Sequence, residues 1–129
     1  MIKTDPIIAV QDVEKSSAWY QDLFQCKNIH GGSEFDVLVD DNNQVILCLH
    51  RWGAHEHPTL KDNTIEAGNG LILYFRTNNI DEIRERAREL MLTVELEIEV
   101  NPNSGKREFS LRDPDGYYLT IAEYHQYQG

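Results

Sequence analysis

The chain has 129 residues, 40% of them apolar, and carries 22 acidic against 12 basic side chains, a net charge of −10. This length and apolar content are sufficient for one compact domain with a buried interior. The excess negative charge repels phosphate backbones and anionic lipid surfaces, so we expect neither nucleic acid nor a membrane as a partner.

No apolar run in the sequence reaches membrane-spanning length, and the opening residues 1–6 contain no apolar core of signal-peptide length. Cys26 and Cys48 do not form a close-spaced motif. Two such thiols are typical of reduced, buried cysteines in a chain that stays in the cell interior. We therefore expect a cytoplasmic protein.

The sequence of the first half of the chain predicts a strand, a helix and a hairpin. A strand is expected at 6–11, and Asp12 is a candidate N-cap for an amphipathic helix over Val13–Phe24. Two further strands, Phe35–Val39 and 44–50, flank the polar turn 40–43.

The apolar pattern stops between Gly53 and Gly70, which predicts a loop or linker. His50, His55 and His57 lie close together in sequence here, and imidazole is a common metal ligand. We place no metal on them at this stage, because histidines clustered in one loop segment are more often solvated than metal-bound.

The second half repeats the first. A strand is expected at 71–76 and Asn79 is a candidate cap for the next helix. Five apolar or small positions recur at an offset of 67 residues: Val13, Ser16, Tyr20, Leu23 and Phe24 correspond to Ile80, Ile83, Ala87, Leu90 and Met91. Tyr20 and Ala87 are thereby predicted to be equivalent inward positions.

Three strands complete the second half. The first is Val94–Val100, and two more at 106–112 and 117–123 form a hairpin around the turn 113–116, which reads Asp-Pro-Asp-Gly. We predict an α+β fold of two tandem βαβββ modules that form a curved mixed sheet around a cavity. The single domain, 1–129, then divides into module one at about 1–52, a linker at about 53–69 and module two at about 70–129.

Two side chains have alternative interpretations. Arg107 could hold a carboxylate or phosphate ligand, but a salt bridge to Asp113 or Asp115 that pins the hairpin turn is favoured. Cys48 could pair with His50 as a nucleophile, but packing of Cys48 beneath a helix is favoured.

The sequence resembles the vicinal-oxygen-chelate superfamily, which includes glyoxalase I, bleomycin-resistance proteins and extradiol dioxygenases. The resemblance covers the whole chain and rests on a few short segments. These are 10–16 (Val-Gln-Asp-Val-Glu-Lys-Ser), Trp19-Tyr20, Gly105-x-Arg107-x-Phe109 and 113–117 (Asp-Pro-Asp-Gly-Tyr). The resemblance implies a homodimer with a cavity shared between the two chains, as is typical of the family.

In metal-dependent members of the family, four strand positions hold a divalent ion that chelates two substrate oxygens. The resemblance assigns these positions to Asp5, Leu47, Leu71 and Thr120. Two leucines have no donor atom and a threonine hydroxyl is a poor ligand, so we expect neither a metal nor another cofactor. The resemblance therefore implies a metal-free small-molecule-binding protein of the bleomycin-resistance type. The alternative is a metal-dependent lyase, isomerase or dioxygenase with atypical ligands.

Strand alternation extends the expected ligand pocket to positions two residues from the family sites. Trp52 and His50 are added as an aromatic and a polar contact. The predicted pocket comprises Asp5, Leu47, Leu49, His50, Trp52, Leu71, Leu73, Tyr118 and Thr120. The same alternation places Glu123 on the opposite face from Thr120.

Overall fold

The structure, a computed structural model, describes residues 1–125. The chain divides into two compact units, Met1–Ala67 and Gly68–Gly129, which we call module one and module two. Module one includes most of the segment between the two repeats.

Module one has the order strand, helix and three strands. Its elements are β1 (Ile7–Val10), α1 (Val13–Phe24), β2 (Lys27–Asn28), β3 (Phe35–Val39) and β4 (Val45–Arg51). The strands form one sheet in the order β1-β4-β3-β2, in which β1 runs parallel to β4 and the other neighbours are antiparallel. Two short 3₁₀ turns follow at Ala54–Glu56 and Pro58–Leu60, within the segment predicted as a loop.

Helix α1 has the predicted bounds. Asp12 is its N-cap, and the carboxylate accepts a hydrogen bond from the Lys15 backbone N–H at 3.0 Å. The helix ends where Gln25 adopts a left-handed conformation with φ of 54°. Its buried face consists of Val13, Ser16, Ser17, Tyr20 and Leu23.

Module two repeats this topology. Its elements are β5 (Leu73–Thr77), α2 (Ile80–Glu89), β6 (Val94–Val100), β7 (Arg107–Arg112) and β8 (Tyr118–Glu123). The sheet order is β5-β8-β7-β6, with β5 parallel to β8. The α+β class and the two tandem βαβββ modules are thus confirmed. At the start of α2 the Asn79 side chain makes no capping bond; instead Asn79 N–H donates to the Thr77 hydroxyl at 3.0 Å.

The hairpin between β7 and β8 closes through the Asp113 side chain. Its carboxylate accepts hydrogen bonds from the N–H groups of Asp115 and Tyr117, both at 2.9 Å. Gly116 supplies the positive φ, 91°, that the turn requires. Asp113 therefore shapes the turn itself and is not a partner of Arg107.

In module one, a hydrogen bond from Ser17 of α1 to Asp36 at 2.6 Å shows which side of the sheet the helix covers. Leu49 is paired directly with Asp36, and Leu47 lies two residues along the same strand, so both share this helix face. The expectation that they line the ligand pocket is corrected. Cys48 and His50 lie on the other side, which we call the far face, so the placement of Cys48 beneath a helix is wrong.

In module two, the Arg84 guanidinium of α2 lies 6.0 Å from the centre of the Phe109 ring. Phe109 pairs with Ile121, and Leu73 pairs with Leu119, so Leu73 also belongs to the helix face. Its expected pocket position is corrected as well. Thr120 and Tyr118 lie on the far face of this sheet, because they alternate with Leu119 and Ile121 along β8.

Helices α1 and α2 have 12 and 10 residues. Within residues 1–125, no helix combines the length and the apolar character that crossing a bilayer demands.

Candidate functional site

His50, near the end of β4, is a polar side chain on the far face of module one. Its side chain is buried, with 3% of the residue surface exposed. Phe35 of β3 is paired with it, and the two ring centres are 6.1 Å apart. A buried imidazole needs hydrogen-bond partners or a ligand for both ring nitrogens.

The chain after β4 turns back toward His50. Gly53 donates a backbone hydrogen bond to Leu60 at 2.7 Å, which closes the loop. Within it His55 and Glu56 both have positive φ, 60° and 55°, an uncommon conformation for residues with a side chain. The turn brings His55 and His57 to His50, with ring centres 5.3 and 4.8 Å from it.

One ring nitrogen from each of these three histidines, which we call the histidine cluster, lies within 4.8 Å of the other two. His50 is buried, whereas His55 and His57 are exposed. In the described part of the chain, this cluster is the group of side chains suited to hold a metal ion. Sequence reasoning treated the segment as solvated because nothing in its periodicity reports that the loop folds back onto β4.

Contacts on the outer side of the cluster hold two of the rings. His50 Nδ1 lies 2.8 Å from the carbonyl oxygen of Arg51, and because a carbonyl oxygen only accepts, this ring nitrogen donates. His55 Nε2 lies 3.1 Å from one carboxylate oxygen of Glu34, and the other carboxylate oxygen lies 3.4 Å from the Arg51 guanidinium.

The four family positions lie in different surroundings. Asp5 is exposed and precedes β1, and Leu47 is fully buried on the helix face. Leu71 lies just before β5, where its N–H donates to Gly68 at 3.1 Å. The Thr120 hydroxyl shares a hydrogen bond of 2.9 Å with Ser110. These side chains offer one carboxylate and one engaged hydroxyl as oxygen donors.

Two of the predicted pocket residues are aromatic and half-buried: Trp52, after β4, and Tyr118 of β8. The Arg112 guanidinium lies 5.2 Å from the centre of the Tyr118 ring. Tyr74 of β5, which the sequence did not select, also lies on the far face because it pairs with Thr120. Tyr74 follows Leu73 in the strand, so the two side chains lie on opposite faces. This alternation is the sequence signal that could have identified Tyr74.

Cys48 is unsuited to act as a nucleophile. Burial raises the pKa of its thiol, and the charges of Asp5 and Asp36 raise it further. A thiol with a raised pKa carries little thiolate, the reactive form. Burial likewise raises the pKa of Cys26, to about 11.

Arg107 has different partners from those predicted. Its guanidinium makes two hydrogen bonds of 3.0 Å to Asp81 at the start of α2 and lies 3.5 Å from Glu123. These residues border a polar groove of about 250 Å³ beside the N-terminus of α2. Because two carboxylates balance the guanidinium, the groove is not arranged to receive an anion.

Solved structures with the same fold span nearly the whole chain. A protein of unknown function from Agrobacterium tumefaciens strain C58 is 20% identical, with coverage of 97% of this chain and 95% of that one and a TM-score of 0.78. A lactoylglutathione lyase from Agrobacterium tumefaciens is 19% identical, with coverage of 95% and 92% and a TM-score of 0.71. A bleomycin resistance determinant encoded on the transposon Tn5 is 15% identical, with coverage of 98% and 100% and a TM-score of 0.70. At these identities the similarity shows the fold alone.

No sequence among the curated proteins matches the chain. The family model described as Glyoxalase/Bleomycin resistance protein/Dioxygenase superfamily matches residues 4–121. This match includes every strand and helix of both modules except the last two residues of β8. The chain therefore belongs to the Glyoxalase/Bleomycin resistance protein/Dioxygenase superfamily.

Proposed function

We propose that the protein binds a small molecule, and that it does so without a metal at the four family positions. The donor set at those positions supports this proposal: Leu47 and Leu71 have no donor atom, and Thr120 is bonded to Ser110. A single carboxylate, Asp5, is insufficient to hold a catalytic ion. A metal-dependent lyase, isomerase or dioxygenase would need its ligands elsewhere.

The observation that carries the proposal is the composition of the far face of module two. Tyr74 and Tyr118 present aromatic rings there, and the hydroxyl groups of Thr120 and Ser110 lie on the same face. Aromatic side chains with a few polar groups are typical of sites for small organic ligands. We infer an aromatic or amphipathic ligand that stacks on a tyrosine ring.

The ligand can be identified by mass spectrometry of small molecules that co-purify with the protein. We expect Tyr118→Ala to weaken binding of the identified compound by about 5-fold or more, because removal of a stacking ring costs about 1 kcal/mol or more. Tyr118→Phe keeps the ring and should bind nearly as the unmodified protein does. Isothermal titration with the identified compound measures both variants.

Met91→Ala is the matched control, since Met91 is an exposed apolar residue of the same module that follows α2. It should leave ligand affinity unchanged. Equal affinity of Tyr118→Ala and the unmodified protein would exclude this face as the binding site.

We also propose a cytoplasmic homodimer, by analogy with the family habit. Both cysteines are free thiols, as is usual in a reducing compartment. Light scattering should give about twice the 15.0 kDa mass of one chain. A measured mass equal to that of one chain at every micromolar protein concentration would contradict the dimer.

A further inference from the structure

We propose that His50, His55 and His57 form a binding site for one divalent transition-metal ion, with Zn²⁺ as the ion that suits it best. The site lies at the end of β4 and in the loop after it, apart from the four positions that the family resemblance assigns to metal ligands. It is independent of the proposed ligand on the far face of module two.

The orientation of the rings leads to this proposal. His50 Nδ1 donates to the Arg51 carbonyl, so Nε2 of the neutral His50 ring carries a lone pair that points away from that bond. His50 Nε2 and His55 Nδ1 face each other at 3.3 Å. Two imidazole nitrogens at this distance either share a proton in a hydrogen bond or bind one cation together.

The spacing fits a metal ion. Ligand nitrogens at about 2.0–2.1 Å from zinc in a tetrahedral arrangement are about 3.3–3.4 Å apart. The observed separation between His50 and His55 is 3.3 Å. All three histidines offer a nitrogen within 4.8 Å of the others, so His57 reaches the same ion after a small rotation of its exposed side chain.

The outer contacts are those that metal-bound histidines usually make. Such a histidine commonly donates a hydrogen bond from its second ring nitrogen to a carboxylate or a backbone carbonyl. This bond fixes the ring and raises its basicity. Glu34 and the Arg51 carbonyl supply one contact of each kind. With these outer contacts in place, His50 Nε2 and His55 Nδ1 face each other on the inner side of the cluster.

The ligand chemistry selects the ion. Three imidazoles suit Zn²⁺, Cu²⁺ or Ni²⁺, whereas Mg²⁺ and Ca²⁺ prefer oxygen ligands. Three protein ligands leave a fourth tetrahedral position for water or another small ligand. Because His55 and His57 are exposed, this fourth position is accessible from solvent.

The test uses full-length protein purified without a histidine tag and stripped of metal with a chelator. Titration with Zn²⁺ should show one tight site per chain, and Co²⁺ in its place should give the visible absorption of a tetrahedral nitrogen site. His55→Ala and His57→Ala should each weaken Zn²⁺ binding by at least about 100-fold, more than is typical for loss of an outer contact. Glu34→Ala should weaken it by about 10-fold.

Two matched controls separate this site from other possibilities. His30→Ala removes an exposed histidine of the same module outside the cluster and should leave Zn²⁺ affinity unchanged. Asp5→Ala should also have no effect; loss of the metal in this variant would instead place the ion at a family position and overturn the proposed metal-free function.

Both exposed histidines can be replaced without opening the core, and circular dichroism of each variant verifies that it folds. Failure of the unmodified protein to bind Zn²⁺ more tightly than the His55→Ala/His57→Ala double variant would overturn the proposal. A proton shared by His50 and His55 would then account for their approach. That result would leave the small-molecule proposal intact.

Discussion

Replacing Tyr20 with alanine should lower the free energy of unfolding by about 3–5 kcal/mol, as for other large aromatic truncations in a core. Tyr20 is fully buried in the middle of α1, and its ring stands edge-on to Trp19 with centres 4.9 Å apart. The variant leaves a cavity that the rigid helix and sheet cannot fill. Urea denaturation followed by circular dichroism measures the loss.

Lys15→Ala is the control in the same helix, because Lys15 is exposed and its side chain can be shortened without a cavity. Its effect should stay within about 0.5 kcal/mol. A loss below about 1 kcal/mol for Tyr20→Ala would contradict the role of this ring in the core of module one.

The second large effect concerns Asp36, a buried carboxylate of β3 on the side of the sheet that faces α1. It accepts hydrogen bonds from the Ser17 hydroxyl at 2.6 Å and the Asn28 amide at 3.0 Å. The backbone N–H groups of Gly31 and Val37 donate to its other oxygen at 2.7 and 2.8 Å. One side chain thus joins α1, β2 and the segment that leads into β3.

Asp36→Ala should lower the free energy of unfolding by about 3 kcal/mol, because several buried donors lose their acceptor at once. Asp41→Ala, at the exposed turn before β4, is the matched control and should change stability by less than about 0.5 kcal/mol. Chemical denaturation at neutral pH measures both variants, and equal stability of the two would contradict the role of Asp36.

The charge of Asp36 also makes stability depend on pH. Burial acts to raise its pKa, but the hydrogen bonds from Ser17, Gly31, Asn28 and Val37 outweigh it and the net pKa is lowered. A lowered pKa in the folded state means that the stabilisation is fully present above the unfolded value, about 3.9, and is lost as pH falls through the folded value. The stability difference between the unmodified protein and Asp36→Asn should therefore shrink below about pH 4.

The sequence was sufficient to predict the repeated modules because helical periodicity is a strong local signal. The 67-residue offset is confirmed at Tyr20 and Ala87, both fully buried. It is wrong at its last two positions, Leu90 and Met91, which are exposed because α2 ends at Glu89. The Asp12 cap and the hairpin turn at 113–116 also follow from local chemistry. The cap and the turn each depend on residues that are only a few positions apart in the sequence.

The faces of β4 could not be predicted in the same way. Leu47, Cys48, Leu49 and His50 are all buried, so the strand shows no alternation between apolar and polar residues from which to choose a side. The assignment depended on an alignment to family positions, and the hydrogen bond between Ser17 and Asp36 reverses it. An error of one residue exchanges the two faces of a strand.

The remaining differences come from contacts between distant segments. Arg107 pairs with Asp81, 26 residues away in sequence, and not with the nearer Asp113 or Asp115. The histidine cluster depends on Glu34, which precedes β3, and on a loop that returns to the end of β4. Neither arrangement leaves a periodic signal in the sequence.

Strand β6 lies at the edge of its sheet, and an edge strand is where a second chain can add and begin aggregation. Glutamates occupy every second position of this strand: Glu95, Glu97 and Glu99. Hydrogen bonds from the Arg84 side chain and from the Ile98 backbone N–H lower the pKa of Glu97 to about 2, so its charge persists in mild acid. Glu95 and Glu97 are paired with Arg112 and Arg84 of the same module. Because charged side chains on an edge strand disfavour the addition of another strand, we expect β6 to resist edge-to-edge association of two copies.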